Sequence, residues 1–335
     1  MPVQPKNLGD FKLDLGGTDI EKHLSSIHLT QELDNFATLT VAVARTQAQM
    51  STMSTLKPPD FPTETTLTWA GRTIFRGHIL SADVTGGSRC DLTYVDSLYL
   101  TSKQHLNRFI KDQSLRECLR SLAETSGLKV DFRGSFNETV SGLSHGTLSC
   151  LEIMGNLADK YGFHFVTHAT SQAVVFIKPP EGISRVQLDA SQKATSLTSR
   201  LSSAGTYDKV RYQYFDLENA QAKENTLHAS QLYRGTGNQQ KSRWRTAAGT
   251  VEVPLTDRRH FQTGQDVLAG HFTKKAQGQE AVQVACFEPL AMVGDSVQLT
   301  KTVTPGIHDG AYLAAASDIR ITSAVPKMVL QLVRP

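Results

Sequence analysis

The chain has 335 residues, more than one hydrophobic core usually organises, so its length predicts two or three domains. Apolar residues make up 39% and charged residues 20%, and the formal net charge is only +3, which indicates a globular protein and argues against a dedicated nucleic-acid binder. The sequence has no run of roughly 18 apolar residues and does not open with a basic segment before an apolar core. We therefore expect neither membrane insertion nor a signal peptide.

The four cysteines, Cys90, Cys118, Cys150 and Cys286, lie far apart in the sequence. No two of them form a CxxC pair, so their pattern indicates neither a zinc site nor a disulfide framework. We expect all four to remain reduced in a cytoplasm.

The first region, residues 1–105, alternates between apolar and polar residues. Its segment ATLTVAVA places Leu39, Val41 and Val43 on one face, which is the pattern of a half-buried antiparallel strand. Glycine turns separate several such segments, and residues 51–62 form a loop interrupted by prolines. The region is predicted to be a small β-barrel or sandwich.

The second region, residues 106–182, changes to a helical period. Ser114 and Glu117 form a capping-box pattern, and Gly127 is placed to end the helix. Between them runs an apolar stripe at helical spacing, formed by Leu115, Cys118, Leu119, Leu122 and Ala123.

The same pattern recurs 35 residues downstream, with Ser149 and Glu152 as the cap and Gly162 as the stop. The predicted apolar stripe of this second helix is Leu151, Met154, Leu157, Ala158 and Tyr161. Because each helix is followed by a strand, the region is predicted to be a compact α/β insert.

The third region, residues 183–335, returns to alternation. Its strands place Val282 with Val284, and Val297 with Leu299, on common faces. Residues 264–276 predict a helix, and the polar stretch 218–245 predicts a long exposed loop. A tight corner is expected at Gly294, between two strands.

The sequence contains no convincing catalytic, metal or cofactor site. His164 and His168 lie in a strand-like segment, where four residues span about 13 Å, too far to share one metal ion. The Ser144 and His145 pair lacks the G-x-S-x-G setting of a hydrolase, and no glycine pattern suited to phosphate is present. Glu117 and Glu152 are already explained as helix caps.

Two basic clusters, residues 241–245 and 258–260, could follow a nucleic-acid backbone. A solvated loop or a protein interface is the better interpretation, because the overall charge is nearly balanced. The absence of a catalytic pattern favours a structural or assembly protein.

The order of features resembles the phage late control protein D family, the baseplate hubs of contractile tails and injection systems, which include the N-terminal part of VgrG spikes. The first region carries Gly71, Phe75, Gly77 and Ile79, followed by Tyr94, Asp96 and Leu98, in the family's spacing. In the third region the closing hairpins match at Pro289, Gly294, Val297, Ile307, Gly310 and Tyr312.

The resemblance implies a mainly β fold with an α/β insert, in which two tube-like antiparallel β-barrel domains flank a smaller α+β domain. It also implies a virion structural protein without enzymatic activity or cofactor: a homotrimeric ring that adapts the sixfold inner tube to a threefold central spike. We expect the spike to be a separate protein. Further expected partners are an inner tube or tube-initiator protein, baseplate wedge proteins and a tape measure protein. Assembly would take place in the bacterial cytoplasm, and the finished ring would reside in the baseplate of a virion or tail-like particle.

Under this resemblance, seven barrel positions are expected to support the interfaces between copies: Leu39, Val41, Val43, Val282, Val284, Val297 and Leu299. Plain core packing is the alternative role for each. Two other functions remain open: a cell-wall hydrolase or peptidase built on the insert, and a carbohydrate-binding β protein, which the presence of only two tryptophans weakens.

Overall fold

The computed structural model describes residues 11–14, 24–44, 64–85, 89–106, 110, 112–140, 147–178, 185–201, 209–216, 221–228, 250–254, 270, 274, 280–302, 307, 309–322 and 326–334. Strands predominate among them, and the helices are concentrated in the middle of the chain. The predicted mainly β fold with an α/β insert is confirmed.

The first region contributes six strands, and in β2, β4 and β6 buried residues largely alternate with more exposed ones. Hydrogen bonds join them in the order β1-β4-β5-β6-β3-β2, and every neighbouring pair is antiparallel. We call this group the first unit; its strands are β1 (Phe11–Asp14), β2 (Leu24–Glu32), β3 (Thr38–Ala44), β4 (Glu64–Trp69), β5 (Arg72–Thr85) and β6 (Arg89–Val95).

The insert has its own apolar core between two helices and a three-stranded sheet in the order β10-β11-β8. Its elements are α1 (Tyr99–Lys103), β7 (Gln113–Ser114), α2 (Leu115–Glu124), β8 (Val130–Arg133), β9 (Thr139–Val140), α3 (Cys150–Tyr161), β10 (His164–Thr167) and β11 (Val174–Ile177). The core of the insert already includes Leu98 and Leu106, on either side of α1.

Both predicted capping boxes are confirmed. In α2 the Ser114 hydroxyl accepts the Glu117 N–H, and the Glu117 carboxylate accepts the Ser114 N–H in return. Ser149 and Glu152 do the same at the start of α3, and Gly162 ends that helix in a left-handed conformation with φ of 68°.

The predicted stripe of α3 needs one correction. Leu151 is only half-buried, whereas Ile153 is buried at 2% exposure. The buried stripe starts at Cys150 and continues at helical spacing through Ile153, Met154 and Leu157, so Leu151 lies to one side of it.

The third region contributes a second group of six strands and a separate three-stranded sheet in the order β15-β14-β16. Its elements are β12 (Arg185–Asp189), α4 (Ala190–Lys193), β13 (Ser196–Leu201), β14 (Lys209–Asp216), β15 (Gln221–His228), β16 (Thr250–Pro254), β17 (Glu280–Cys286), β18 (Ser296–Thr300), β19 (Gly310–Thr322) and β20 (Pro326–Val333).

The exposed loop predicted for residues 218–245 is wrong over residues 221–228. These residues form β15, antiparallel to β14 from Lys209 opposite His228 to Asp216 opposite Gln221. A polar segment forms a strand here because a neighbouring strand satisfies its backbone groups. Residues 229–245 lie outside the described residues, as does the predicted helix 264–276 apart from Gly270 and Lys274, which are both helical.

The second unit, formed by β12, β13 and β17 to β20, repeats the strand order of the first. Its hydrogen bonds give the order β12-β18-β19-β20-β17-β13, strand for strand equivalent to β1-β4-β5-β6-β3-β2. The first pair differs, since β1 is antiparallel to β4 but β12 is parallel to β18. The long strands β5 and β19 also share an irregularity, which skips Leu80 in one and Ala315 in the other.

One strand pair joins the two units into a twelve-stranded sheet. Strand β2 runs antiparallel to the second half of β19, from Glu32 opposite Ala316 to Ser26 opposite Thr322. Strand β18 covers the first half of the same edge of β19. We call the β2 and β19 contact the seam.

A single apolar cluster fills the core behind both units, and a smaller one, which includes Leu33, Val166 and Val293, contains residues of all three regions. The two units are the counterparts of the two expected barrels, although they share a sheet and a core. The boundaries at residues 105 and 182 stay predictions.

Candidate assembly interface

The seven predicted interface residues all lie in the core shared by the two units, and each is at most 2% exposed. Leu39 and Val282 occupy equivalent positions, as do Val41 and Val284, because β3 and β17 pair in the same register with β6 and β20. Since their side chains are covered, any effect on a contact between copies would act through the shape of the sheet. Their role in supporting an interface stays a prediction.

On its core side, the seam is held by apolar packing and by a buried amide. Ile27 and Leu29 of β2 and Ile319 of β19 are at most 4% exposed. The Gln31 amide donates to the Ile74 carbonyl at 3.2 Å, and its oxygen accepts from the Ser317 hydroxyl at 3.1 Å. The buried polar atoms under the seam are thus paired, which favours one register.

On its solvent side, the seam carries an ionic cluster. The Asp318 carboxylate forms a hydrogen bond with His28 Nε2 at 3.2 Å across the seam. It also accepts a hydrogen bond from Arg320 Nε, on its own strand, at 2.9 Å. Burial raises the pKa of Asp318, but the hydrogen bonds and charges of Arg320 and His28 outweigh it and hold the pKa below its usual value. An open groove of about 500 Å³ crosses the seam beside this cluster, lined among others by Thr30, Thr38, Gln283 and Gln331.

A second network connects the insert to the turn after β2 and to Lys274 of the third region. Asp34 has a left-handed φ of 65°, and its carboxylate accepts His164 Nδ1 at 2.8 Å and the Phe165 N–H at 2.9 Å. Lys274 lies 2.9 Å from Asp34 and 2.9 Å from Asp159 of α3. We call Asp34, His164, Lys274 and Asp159 the junction network; it includes residues of all three regions.

The electrostatics of this network favour an ionised Asp34. Burial raises the pKa of Asp34, but the hydrogen bond and charge of His164 and the charge of Lys274 outweigh it and hold the pKa below its usual range. The carboxylate therefore fixes the insert against the turn as a charged group.

Asp96, part of the family-like motif, has a local structural role. Its carboxylate accepts the Ala37 N–H and the Leu98 N–H, each at 3.0 Å, so it ties the start of β3 to the corner before α1. Burial raises the pKa of Asp96 to about 7, although these N–H donors act in the opposite direction.

Glycines of the same motifs mark close approaches. A Cβ at Gly77 would lie 2.3 Å from the Val95 carbonyl oxygen and 2.6 Å from the Phe75 ring. At the corner before β18, Gly294 has φ of 89°, and a Cβ there would meet Ile177 at 2.7 Å. The corner thus packs on the insert, which needs a residue without a side chain there.

The insert also touches the third region through two facing glycines. A Cβ on Gly162 would lie 2.6 Å from the Gly270 backbone, and one on Gly270 would lie 2.4 Å from the Tyr161 carbonyl carbon. Backbones this close leave no room for side chains, so the contact fixes the position of α3.

The candidate chemical groups are not brought together. His164 belongs to the junction network, while burial first, and then Arg133, lower the pKa of His168. Among the described residues no three His, Cys, Asp or Glu side chains cluster as metal ligands would. Ser144, His145 and the basic clusters 241–245 and 258–260 lie outside the described residues. In the part of the chain that is described, no helix is long and apolar enough to cross a membrane.

Sequence reasoning missed the seam and the junction network. Asp34 and Lys274 are separated by 240 positions, and neither carries a local pattern. The usable signal at Asp34 was weak: a short polar turn, Asp34-Asn35, between two alternating segments.

No protein-family model and no curated protein sequence matches the chain. Among solved structures, the tail protein from Neisseria meningitidis MC58 is similar over 97% of this chain and 96% of its own, with a TM-score of 0.71 and 11% identity. The 43 kDa tail protein of prophage MuSo2 from Shewanella oneidensis is similar over 97% of both chains, with a TM-score of 0.68 and 11% identity.

A third similar structure is the Escherichia coli c3393 protein, a component of the type VI secretion system that is structurally similar to the T4 bacteriophage tail proteins gp27 and gp5. It matches over 97% of this chain and 77% of its own, with a TM-score of 0.65 and 10% identity. At such low identity the likeness concerns the fold. The expected resemblance is confirmed at that level: this chain has the fold of phage tail proteins and of this secretion-system component.

Proposed function

We propose that the chain is a structural baseplate hub of a contractile phage tail or tail-like injection system. Three copies would form a ring that adapts the sixfold inner tube to a threefold central spike. The observation that carries the proposal is the repeated unit: each copy presents two six-stranded units in the same order, so three copies present six. Closed symmetry of this kind limits assembly to a defined ring.

The shared fold with two phage tail proteins and a secretion-system component supports this proposal. In the ring, the twelve-stranded sheets would face the axis, and the insert would face the baseplate wedges. The central spike and an inner tube or tube-initiator protein would bind opposite faces of the ring, and a tape measure protein is a further proposed partner. Assembly would take place in the bacterial cytoplasm, and the ring would then remain in the particle's baseplate.

A structural role without turnover also fits the two conspicuous acids. Glu117 and Glu152 are both engaged in capping boxes, which accounts for them without a catalytic role. The hydrolase alternative has no further support among the described residues.

The test is the native mass of the purified chain by light scattering over a concentration series, alone and with the spike and tube proteins of the same particle. We expect the mass of three chains, or the mass of a complex of three chains with three copies of the spike protein. A chain that stays single in every mixture would contradict the hub proposal. Cell-wall hydrolysis that is abolished by Glu117→Ala or Glu152→Ala would replace it with an enzymatic function.

A further inference from the structure

In the second unit, neighbouring strands of the same copy cover the outer edge of the long strand β19. The outer edge of β19 has two partners in succession: β18 pairs with Gly310–Leu313, and β2 pairs with Ala316–Thr322. The long strand of the second unit is thus covered over nearly its full length, and the seam supplies the second half of that cover.

The equivalent edge in the first unit is half covered. Strand β4 pairs with β5 from Arg72 to His78, as β18 does with β19. Among the strands that the structure describes, none pairs with the same edge of β5 from Ile79 to Thr85. Within the same described set, β13, the counterpart of β2, pairs with β17 on one side and with no strand on the other. An unpaired edge of this kind is a template for another strand.

We propose that β13 of one copy pairs antiparallel with residues 81–85 of β5 in the next copy, in the register of the internal seam. The proposal rests on the proposed ring and specifies the contact that builds it. The occupant is a second copy of this chain, because β13, among the described strands, is the one that corresponds to β2. Head-to-tail repetition of this contact then closes the ring.

The register follows from the pairings inside each unit. Thr30 of β2 faces Thr38, which faces Val95. Arg200 of β13 faces Ala281, which faces Val333 in the equivalent place. Arg200 therefore corresponds to Thr30.

Asp83 corresponds to Asp318 by the same reasoning on the long strands. Asp83 faces Asp91 and Asp318 faces Val329, at the same distance from the irregularity that the two strands share. Because Thr30 faces Asp318 in the seam, the contact between copies places Arg200 of one copy opposite Asp83 of the next.

The charges at the two edges are complementary in this register. Asp83 is exposed and faces Asp91, and the Asp91 carboxylate already has Arg89 at 2.8 Å. Two carboxylates directly opposite each other repel, so Asp83 needs a cation that the described part of its own copy does not supply. An incoming Arg200, which is exposed on β13, provides one.

An exposed apolar residue marks the same edge. Leu80 is 45% exposed and occupies the position equivalent to Ala315. In the internal seam, Ala315 is half-buried, packs near Leu33, and accepts the Leu33 N–H at 2.9 Å. A neighbouring copy in the same register would cover Leu80 in the same way.

The first test is disulfide trapping with Asp83→Cys and Arg200→Cys in one chain. Facing residues of an antiparallel pair have Cα atoms about 4.5 to 5.5 Å apart, within disulfide range. We expect mild oxidation to give covalently linked chains, which reductant separates. The matched control, Asp83→Cys with Ser196→Cys, moves one thiol about 13 Å along β13 and should not link. The four native cysteines are buried and should not interfere.

The second test is a charge exchange, measured as the dissociation constant of the assembled chain. Asp83→Arg and Arg200→Asp should each raise it about 5-fold or more, because each places like charges opposite each other. The double variant should return it to within about twofold of the original. Both positions are exposed, so in samples dilute enough that the chain is single, all three variants should unfold at the urea concentration of the unmodified chain.

The outcomes separate this contact from the proposed function. If the native mass shows three copies but the cysteine pair does not link, or the double exchange does not restore association, the strand contact is wrong and the ring stands. If the chain stays single with every partner, the ring and this contact are both wrong.

Discussion

The two six-stranded units share a strand order but differ in many of their side chains. At equivalent positions the first unit has Gly77 and Tyr94 where the second has Tyr312 and Leu332. In the first unit the Phe75 ring covers Gly77. In the second unit the Tyr312 ring takes up the equivalent space, and the Arg334 guanidinium lies over it. The hydrogen-bond ladder is therefore what the units have in common, and each fills the space behind it with a different set of side chains.

The largest expected effect comes from the core that the units share. Leu39→Ala should lower the free energy of unfolding by about 3 kcal/mol, and its counterpart Val282→Ala by about 2 kcal/mol, because both side chains are fully buried. Urea unfolding, followed by circular dichroism, should remain a single transition in both variants. Separate transitions for the two units would contradict a common core.

Gly77→Ala changes a position at which the two units differ. The new methyl group would lie 2.3 Å from a main-chain oxygen, so we expect a loss of about 2 kcal/mol in unfolding free energy. The control is Gly155→Ala in α3, where nothing lies within 4 Å and the change should stabilise by up to about 1 kcal/mol. Equal effects of the two substitutions would mean that the close packing at Gly77 is wrong.

Asp34→Asn tests how the junction network holds the insert to the first and third regions. We expect a loss of about 1.5 kcal/mol at pH 7, because the amide cannot replace a carboxylate that accepts from His164 and Lys274. The control is Asp159→Asn, which removes the exposed partner of the same lysine and should cost under about 0.5 kcal/mol.

The pH dependence of the same variant has a definite sign. The folded-state pKa of Asp34 lies below its unfolded value, so its stabilisation is present above about pH 4 and is lost as pH falls through the folded pKa. The stability difference between the unmodified chain and Asp34→Asn, measured by urea unfolding, should therefore shrink below about pH 4. A difference that grows in acid would contradict the ionised junction network.

The smallest expected effects concern the helix caps. Ser114→Ala and Ser149→Ala should each cost about 1 kcal/mol in thermal or urea unfolding, because each removes an acceptor for an unpaired helix N–H. Similar losses at the two sites would agree with their matching geometry. No loss at either site would mean that the boxes do not stabilise the helices in solution.

Local patterns in the sequence predicted the local structure well. The strand at Leu39, the capping boxes at Ser114 and Ser149, and the stop at Gly162 depend on neighbours within a few residues, which periodicity and turn chemistry report. The strand order does not depend on such neighbours. The repeat of the six-stranded unit is not visible in the sequence, because many equivalent positions, such as Gly77 and Tyr312, carry unrelated side chains.

The seam and the junction network could not be predicted from the sequence for a second reason. Thr30 and Asp318, or Asp34 and Lys274, meet only after two distant segments have folded, and one residue of register error would reverse the faces of a strand. The polar segment 221–228 was predicted as a loop for the same reason. It forms a strand by pairing with β14, and the local sequence does not indicate that pairing.

The proposed ring is best tested by the structure of the assembled particle, determined by electron cryo-microscopy. We expect three copies in a ring, with β13 of each copy beside residues 81–85 of the next and Arg200 opposite Asp83. Six strand contacts would then alternate around the ring, three within copies and three between them. A ring in which this edge of β5 faces solvent, or in which copies meet through their inserts, would contradict it.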